Sequence, residues 1–358
     1  MRAVYVTKPT RVSVRRFLSY ALKIFVSGIF TNYGQTVRTL ESKLQKEFGL
    51  DNVVVMNNGT TPIMFLMSEL RPGSRVLTTP FSFVATSSAI SAMGMVPVFA
   101  DVVAESGSVD VERVRETLAR EPIDAMLFTH VYGAPCDVVS LRQIAVEFGI
   151  PLYYDAAHAV GVDVDGTSLL NFGDASTISF HATKLMSSGE GGALVTSSAD
   201  LAERARRWIN FGIADSKILS LGVNGKMSEI QAAIGLSTLP NVSREIRRRR
   251  KLAENYQSEL AGTGLRFLPS HNHAYIPVVL PCADQVAPMV EALESIGIFP
   301  RRYFYPSLDR LDFLGDGSAK VPVARDLAER VLCLPSGRDV TARVRRRLTT
   351  CVRQTLAE

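Results

Sequence analysis

The sequence predicts an α/β fold: a mainly parallel sheet flanked by helices, followed by a smaller α+β unit. Two observations point there. From Val53 to Asp155, short apolar runs alternate with segments of helical apolar spacing, the pattern of parallel strands joined by crossover helices. After Gly262 that regular alternation stops. A length of 358 residues also exceeds what one ordinary core holds.

The elements follow in order. Residues 1–30 read as an arm and a helix, and Thr31-Asn32-Tyr33-Gly34 as a turn. Residues 37–48 are helical in period, with Leu40, Leu44 and Phe48 on one face. Residues 53–56 form a continuous apolar run, the mark of a buried strand. Gly59-Thr60 follows, and a helix over 63–70. Strands are then expected at 75–79, 97–100, 125–129 and 151–154, with helices at 84–93, 111–118 and 141–148 between them. A β-rich run at 176–180 leads to Lys184, and residues 193–195 turn apolar again. Helices are expected at 201–209 and at 230–239, the latter with Ser228 as N-cap. A long helix then runs to residue 260. The smaller unit reads as strands at 274–280, 298–303 and 332–334 and helices at 286–296, 323–331 and 341–349. The expected divisions are an arm and helix over 1–30, a large domain over 31–245 and a small domain over 246–358.

Bulk chemistry narrows the function. The chain is 46% hydrophobic and 21% charged, an ordinary globular composition. A net charge of +5 favours anionic ligands slightly and does not by itself indicate nucleic acid. The basic run Arg244 to Lys251 has no interleaved aromatics and reads as a solvated helix face at a domain junction. Cys136, Cys282, Cys333 and Cys351 lie far apart, which argues against a zinc site or disulfide framework and suits a reducing cytoplasm. Arg2, Lys8, Arg11, Arg15 and Arg16 precede an apolar run over 20–30, broken by Lys23, Ser27 and Gly28. That run is too short to span a bilayer and has no cleavage pattern of a signal peptide.

Thr60, Phe83, His130, Asp155 and Lys184 fall at or just past expected strand ends, where ligands bind in such sheets. Taken alone, Lys184 is a loop lysine before a glycine-rich turn. Its neighbours in the fold give it chemistry. The helix start at Gly59-Thr60 suits a phosphate, and Ser179 adds a hydroxyl. Asp155 is a carboxylate leaving an apolar strand and needs a cationic or protonated partner. His158 can reach a ring oxygen, Phe83 can lie against a planar ring, and Lys184 supplies an imine nitrogen. Phosphate, protonated pyridine, ring face and aldehyde together describe pyridoxal 5′-phosphate (PLP).

The motifs PFSFVAT (80–86), YYDAAHAVG (153–161), SFHATK with EGG (179–192) and GVNGKMSEIQAA (222–233) resemble the DegT/DnrJ/EryC1/StrS sugar aminotransferases. The similarity runs from about Thr7 to the C-terminal helix. VTKP at 6–9, TNYG at 31–34 and RRYFYPSLD at 301–309 further resemble the branch acting on dTDP-4-keto-6-deoxyhexoses. The resemblance implies a fold-type-I PLP enzyme with a seven-stranded sheet, an aminotransferase using glutamate and a nucleotide-linked keto-sugar. It implies Lys184 as the Schiff-base lysine, Asp155 at the pyridine nitrogen and His158, where Gln is frequent, near the cofactor hydroxyl. Gly59, Thr60 and Ser179 match the phosphate cradle, and Phe83 the stacking position. Asn224 matches an asparagine that reaches the phosphate from the other subunit, which implies a homodimer with shared sites. Glu229 follows as the helix-start carboxylate of the same motif. Two positions depart from the common pattern: Asn58 stands where Ser is common, and Gln35 where Pro is frequent. Arg301 and Arg302 are candidates for a diphosphate or donor carboxylate. Two other readings stay open: a 3-keto-sugar or amino-cyclitol aminotransferase, and a non-catalytic PLP-binding regulatory protein.

Overall fold

The computed structural model describes residues 3–314 and 319–357; Arg2, counted above among the basic N-terminal residues, lies outside them. Two helices, α1 (Val14–Ser27) and α2 (Gln35–Phe48), precede the first central strand, β1 (Asn52–Met56). The chain then alternates through α3 (Thr61–Ser68), β2 (Arg75–Thr78), α4 (Val84–Ala92), β3 (Val96–Phe99), α5 (Val111–Arg120), β4 (Ala125–Thr129), α6 (Val138–Phe148) and β5 (Leu152–Asp155). Strands β6 (Ala175–Ser179) and β7 (Gly192–Thr196) complete a seven-stranded sheet, ordered β1-β7-β6-β5-β4-β2-β3. Every pairing is parallel except those of β7, which runs antiparallel to both β1 and β6.

Both faces of the sheet are covered, which is why its strands read as continuous apolar runs. In β1, Val53 and Val55 join the core beneath α2, α6 and Leu236, whereas Val54 and Met56 join the core holding Phe65, Ile90 and Trp208. Leu40 and Leu44 pack as their spacing predicts. Helix α7 (Ala199–Trp208) is followed by α8 (Glu229–Thr238). Ser228 caps α8 as expected, with Gln231 closing a reciprocal capping box. The Glu229 carboxylate is buried and accepts hydrogen bonds from the amides of Thr36 (2.7 Å) and Val37 (3.3 Å). It therefore caps α2, a helix nearly 200 residues away in sequence.

Helix α9 (Val242–Glu259) contributes Val242 to the sheet core and Leu252, Ala253 and Tyr256 to a separate C-terminal core. The basic run differs from the solvated face expected of it. Arg244, Arg247, Arg250 and Lys251 are exposed, but Glu245 and Arg249 are buried. Glu245 receives Arg248, Arg249 and Arg338, and Arg249 also donates to the carbonyl of Ala274 at 2.8 Å. Residues 245, 249, 252 and 256 share one helical face, so the helix period carries charge inward together with the apolar residues. Burial is tolerated because each charge has an opposite partner.

The C-terminal layer is an antiparallel sheet of β8 (Arg266–Phe267), β9 (Ile276–Val279) and β10 (Val331–Leu334). Helices α10 (Val286–Ser295), α11 (Pro322–Arg330) and α12 (Ala342–Ala357) pack about it. The N-terminal arm is not free: Val4–Tyr5 pairs in parallel with Ile298–Phe299. The strand expected over 298–303 is cut to those two residues, since Pro300 has no N–H to continue a ladder. The chain turns there and carries Tyr303 and Phe304 to the edge of the large sheet. Among the described residues, no helix is long and apolar enough to cross a membrane.

Candidate active site

The carboxyl ends of β4, β5 and β6 and the start of α3 converge on one cavity of about 250 Å³. Gly59, Thr60, Phe83, Asp155, His158, Ser179 and Lys184 all line it. Tyr275, Tyr303 and Phe304 close it from the C-terminal layer. Three other expectations fall elsewhere. Asn224 is exposed and does not line the cavity; its carbonyl accepts from Asn57 Nδ2 at 3.4 Å. Arg302 lies over the Tyr305 ring at 3.4 Å and donates to Glu329, and Arg301 is exposed, so neither faces the cavity. His130 is fully buried behind the site, stacked on Tyr154 at 4.3 Å. Burial holds its ring down at about 3, so it stays neutral.

Asp155 is nearly buried and held at both oxygens. Thr86 Oγ1 donates to one oxygen at 2.7 Å and the Ala157 amide to the other at 3.1 Å. Thr86 in turn meets Ser82 at 2.9 Å, and Ser82 meets Thr129 at 2.7 Å. This hydroxyl chain fixes the carboxylate at the strand end. Sequence reasoning missed it, although Ser82 and Thr86 stand inside PFSFVAT and were its visible signal.

His158 is buried, and its Nδ1 accepts the Tyr132 amide at 3.2 Å. That bond assigns the proton to Nε2. Burial and nearby Lys184 hold the imidazole well below its usual range, so His158 serves as a neutral donor. Its ring lies parallel to that of Phe304, 5.8 Å away.

At the α3 start, Asn58 Oδ1 already accepts the amides of Thr60 and Thr61 at 2.9 Å each. The helix amides expected to meet an anion are therefore capped by a side chain. What the cavity offers an anion is the Gly59 backbone and the hydroxyls of Thr60 and Ser179. Gly59 lies so close to Ser179 that a Cβ on it would stand 2.7 Å from Ser179 Cβ. A Cβ on Gly192 would likewise stand 2.7 Å from Gly59 Cα, so the glycine turn lets β7 approach the same spot. Gly59→Ala should push Ser179 aside and weaken PLP retention about tenfold or more, measured by equilibrium dialysis against the wild-type protein.

Lys184 is half-buried and donates to Tyr275 Oη at 3.2 Å. Burial lowers its ammonium to about 8, against Asp155 and Tyr303, which raise it. An amine so tuned becomes mostly free base above about pH 8, where an ordinary lysine stays charged. The residues fit PLP: an accessible amine, a fixed carboxylate, a neutral imidazole donor, an aromatic ring and a cradle too tight for a Cβ.

Comparison with known proteins agrees. The profile of the DegT/DnrJ/EryC1/StrS aminotransferase family matches residues 13–353. The chain is 35% identical over 364 aligned residues to a dTDP-4-amino-4,6-dideoxy-D-glucose transaminase of Shigella dysenteriae, covering 99% of both chains. It is 29% identical to a UDP-N-acetyl-3-dehydro-alpha-D-glucosamine 3-aminotransferase of Acidithiobacillus ferrooxidans, over 90% of this chain and 89% of that one. The structure of DesI, solved in the presence of its TDP-sugar product, superposes with a TM-score of 0.93 at 33% identity, over 100% of this chain and 94% of that one. The chain thus belongs to the DegT/DnrJ/EryC1/StrS aminotransferase family and is a PLP-dependent sugar aminotransferase.

Proposed function

We propose that this enzyme moves an amino group from L-glutamate to a dTDP-linked 4-keto-6-deoxyhexose, giving a 4-amino-4,6-dideoxy sugar nucleotide. The observation that carries the reading is the joint lining of one cavity by Lys184, Asp155, Gly59, Thr60 and Ser179. The dTDP-4-amino sugar is supported by the names of the relatives that cover nearly the whole chain and of DesI with its TDP-sugar.

In this reading Lys184 holds the cofactor aldehyde. Gly59, Thr60 and Ser179 hold the phosphate, Asp155 the ring nitrogen, His158 Nε2 the ring hydroxyl, and Phe83 one ring face. When bound, the cofactor delocalises the negative charge that develops at the substrate carbon. Lys184 Nζ, as free base, would take a proton from the donor Cα and release it at the carbon that carried the cofactor aldehyde, passing from amine to ammonium and back. The sugar half-reaction uses the same proton in the opposite sense. Asp155 keeps a negative charge opposite the ring nitrogen throughout, fixed by Thr86 and Ala157. Phe304 and Tyr303 exclude water from the far wall.

The active unit in this reading is a cytoplasmic homodimer. Helix α1 turns Val14, Leu18, Leu22, Phe25 and Val26 outward, and Ile218, Leu219 and Leu221 are exposed beside Asn224. So much exposed apolar surface suits a second copy of the chain, with Asn224 reaching its partner's phosphate site. The two-domain division, with α9 spanning residues 245 and 246, belongs to the same reading.

The test is incubation of the PLP-loaded enzyme with dTDP-4-keto-6-deoxyglucose and glutamate, with the product identified by mass and NMR. A C4 amine supports the reading. Amination only of a 3-keto-sugar nucleotide moves the enzyme to the other regiochemistry, and no glutamate-dependent change in the cofactor spectrum removes the catalytic reading.

A further inference from the structure

Tyr275 was no candidate in the sequence, yet its hydroxyl accepts a hydrogen bond from the Lys184 amine at 3.2 Å. The phenol comes from the residue before β9, so the C-terminal layer supplies the partner of an amine that stands on the large sheet. It is buried, and its ring is wedged among His158 (4.6 Å), Tyr303 (5.6 Å) and Tyr132 (6.1 Å). The Thr183 side chain lies beside the phenol on the same cavity wall, its hydroxyl paired with His181 Nδ1 at 2.8 Å.

The backbone beneath Tyr275 is held from several sides. The Ala274 carbonyl accepts Arg249 Nη1 at 2.8 Å and Ser336 Oγ at 3.3 Å. The Ala274 amide donates to Asn272 Oδ1 at 3.0 Å. Asn272 is itself buried and donates to the carbonyls of His158 (2.7 Å) and Val160 (2.9 Å). The buried pair of Glu245 and Arg249 therefore has a local output: it fixes the peptide that aims Tyr275 at Lys184. A lysine stem has four rotatable bonds and much rotamer entropy, so an amine released from its bond to the cofactor needs a fixed partner if it is to stay in reach of the reacting carbons.

We propose that Tyr275 is the positioning residue for Lys184: its hydroxyl receives the released ε-amine and holds it over the cofactor site while it carries the proton. The proposal rests on the assignment of Lys184 as the cofactor-bearing lysine. Burial holds the phenol above its ordinary range, so it stays neutral and accepts a hydrogen bond without adding charge. The groups facing Lys184 are Asp155, His158, Tyr275 and Tyr303.

Tyr275→Phe keeps the ring packing and removes the oxygen. Three measurements on the full-length enzyme decide the matter. Borohydride reduction and peptide mass should place PLP on Lys184 in wild type and variant alike; its absence in wild type would fail the site assignment rather than the Tyr275 proposal. In single-turnover experiments with glutamate, the variant should react about ten to a hundredfold more slowly, the effect of one hydrogen bond to a group that becomes charged, with the donor concentration at half-maximal rate unchanged. Nitrogen-15 NMR of Lys184 Nζ, in enzyme loaded with pyridoxamine 5′-phosphate, should show the ammonium titrating lower in the variant, because the phenol oxygen favours the charged form. A rate within about twofold of wild type, or an unchanged titration, overturns the proposal. A titration moved up toward free lysine also overturns it, since that reports water entering a loosened pocket. Should Tyr275→Phe fold poorly, Thr183→Val, which leaves the Tyr275 oxygen in place, is expected to slow the same step less, and a wild-type rate there with a wild-type titration counts against the network.

Discussion

Lys184→Ala should lower transamination by at least about 10⁴-fold, as expected when one side chain is both the covalent anchor and the proton carrier. Two features of the structure make the loss hard to replace. The amine donates to Tyr275, not to another base that could take its place, and His158, the buried imidazole of the cavity, is held neutral with its Nδ1 already occupied by the Tyr132 amide. The variant should keep its fold, because Lys184 is half-buried at a cavity wall and lies outside the core clusters. Stopped-flow absorbance with glutamate, then with the keto-sugar, measures both half-reactions. A rate within about a hundredfold of wild type would move the proton-carrying role to another residue.

Asp155→Asn is expected to reduce turnover by about 10²- to 10³-fold while leaving the melting temperature nearly unchanged. The amide oxygen can still accept the Ala157 N–H, and the amide NH2 can donate to the Thr86 hydroxyl, which turns from donor to acceptor, at the places the two carboxylate oxygens now hold. It cannot supply the negative charge that keeps a ring nitrogen protonated. The loss should therefore appear in the rate of proton removal from glutamate and far less in cofactor affinity. Steady-state kinetics beside a cofactor titration separates the two. Equal loss in both would mean that Asp155 serves to bind the ring and not to tune it.

Much of this site was legible before any coordinates. A parallel sheet with crossover helices brings its strand ends to one edge, so Gly59, Asp155, Ser179 and Lys184 could be placed together from strand boundaries alone. The same logic misled for His130. It also ends a strand, but its ring folds back under Tyr154, and nothing in strand position tells which way a side chain turns. Asn58, standing where Ser is common, gives its side chain to capping α3; a short polar residue before a helix start carries that possibility. Tyr275, Tyr303 and Phe304 were illegible for another reason. They reach the cavity because the C-terminal layer docks on the large sheet, through contacts such as Asn272 on the His158 loop, and no local pattern encodes that docking. The basic run of α9 misled because composition suggested solvent, while period four placed Glu245 and Arg249 inward.

Asn224 is exposed and lies outside the cavity that Lys184 lines. If it completes the site of a second copy, a defect there and a defect at Lys184 damage different halves of the same assembly. In that case a subunit carrying Lys184→Ala and one carrying Asn224→Asp would each be inactive as homodimers. Paired, they place both lesions in one site and leave the other intact. Refolded together in equal amounts, two silent variants should regain about a quarter of wild-type activity. In a cell expressing both, the two alleles would complement each other.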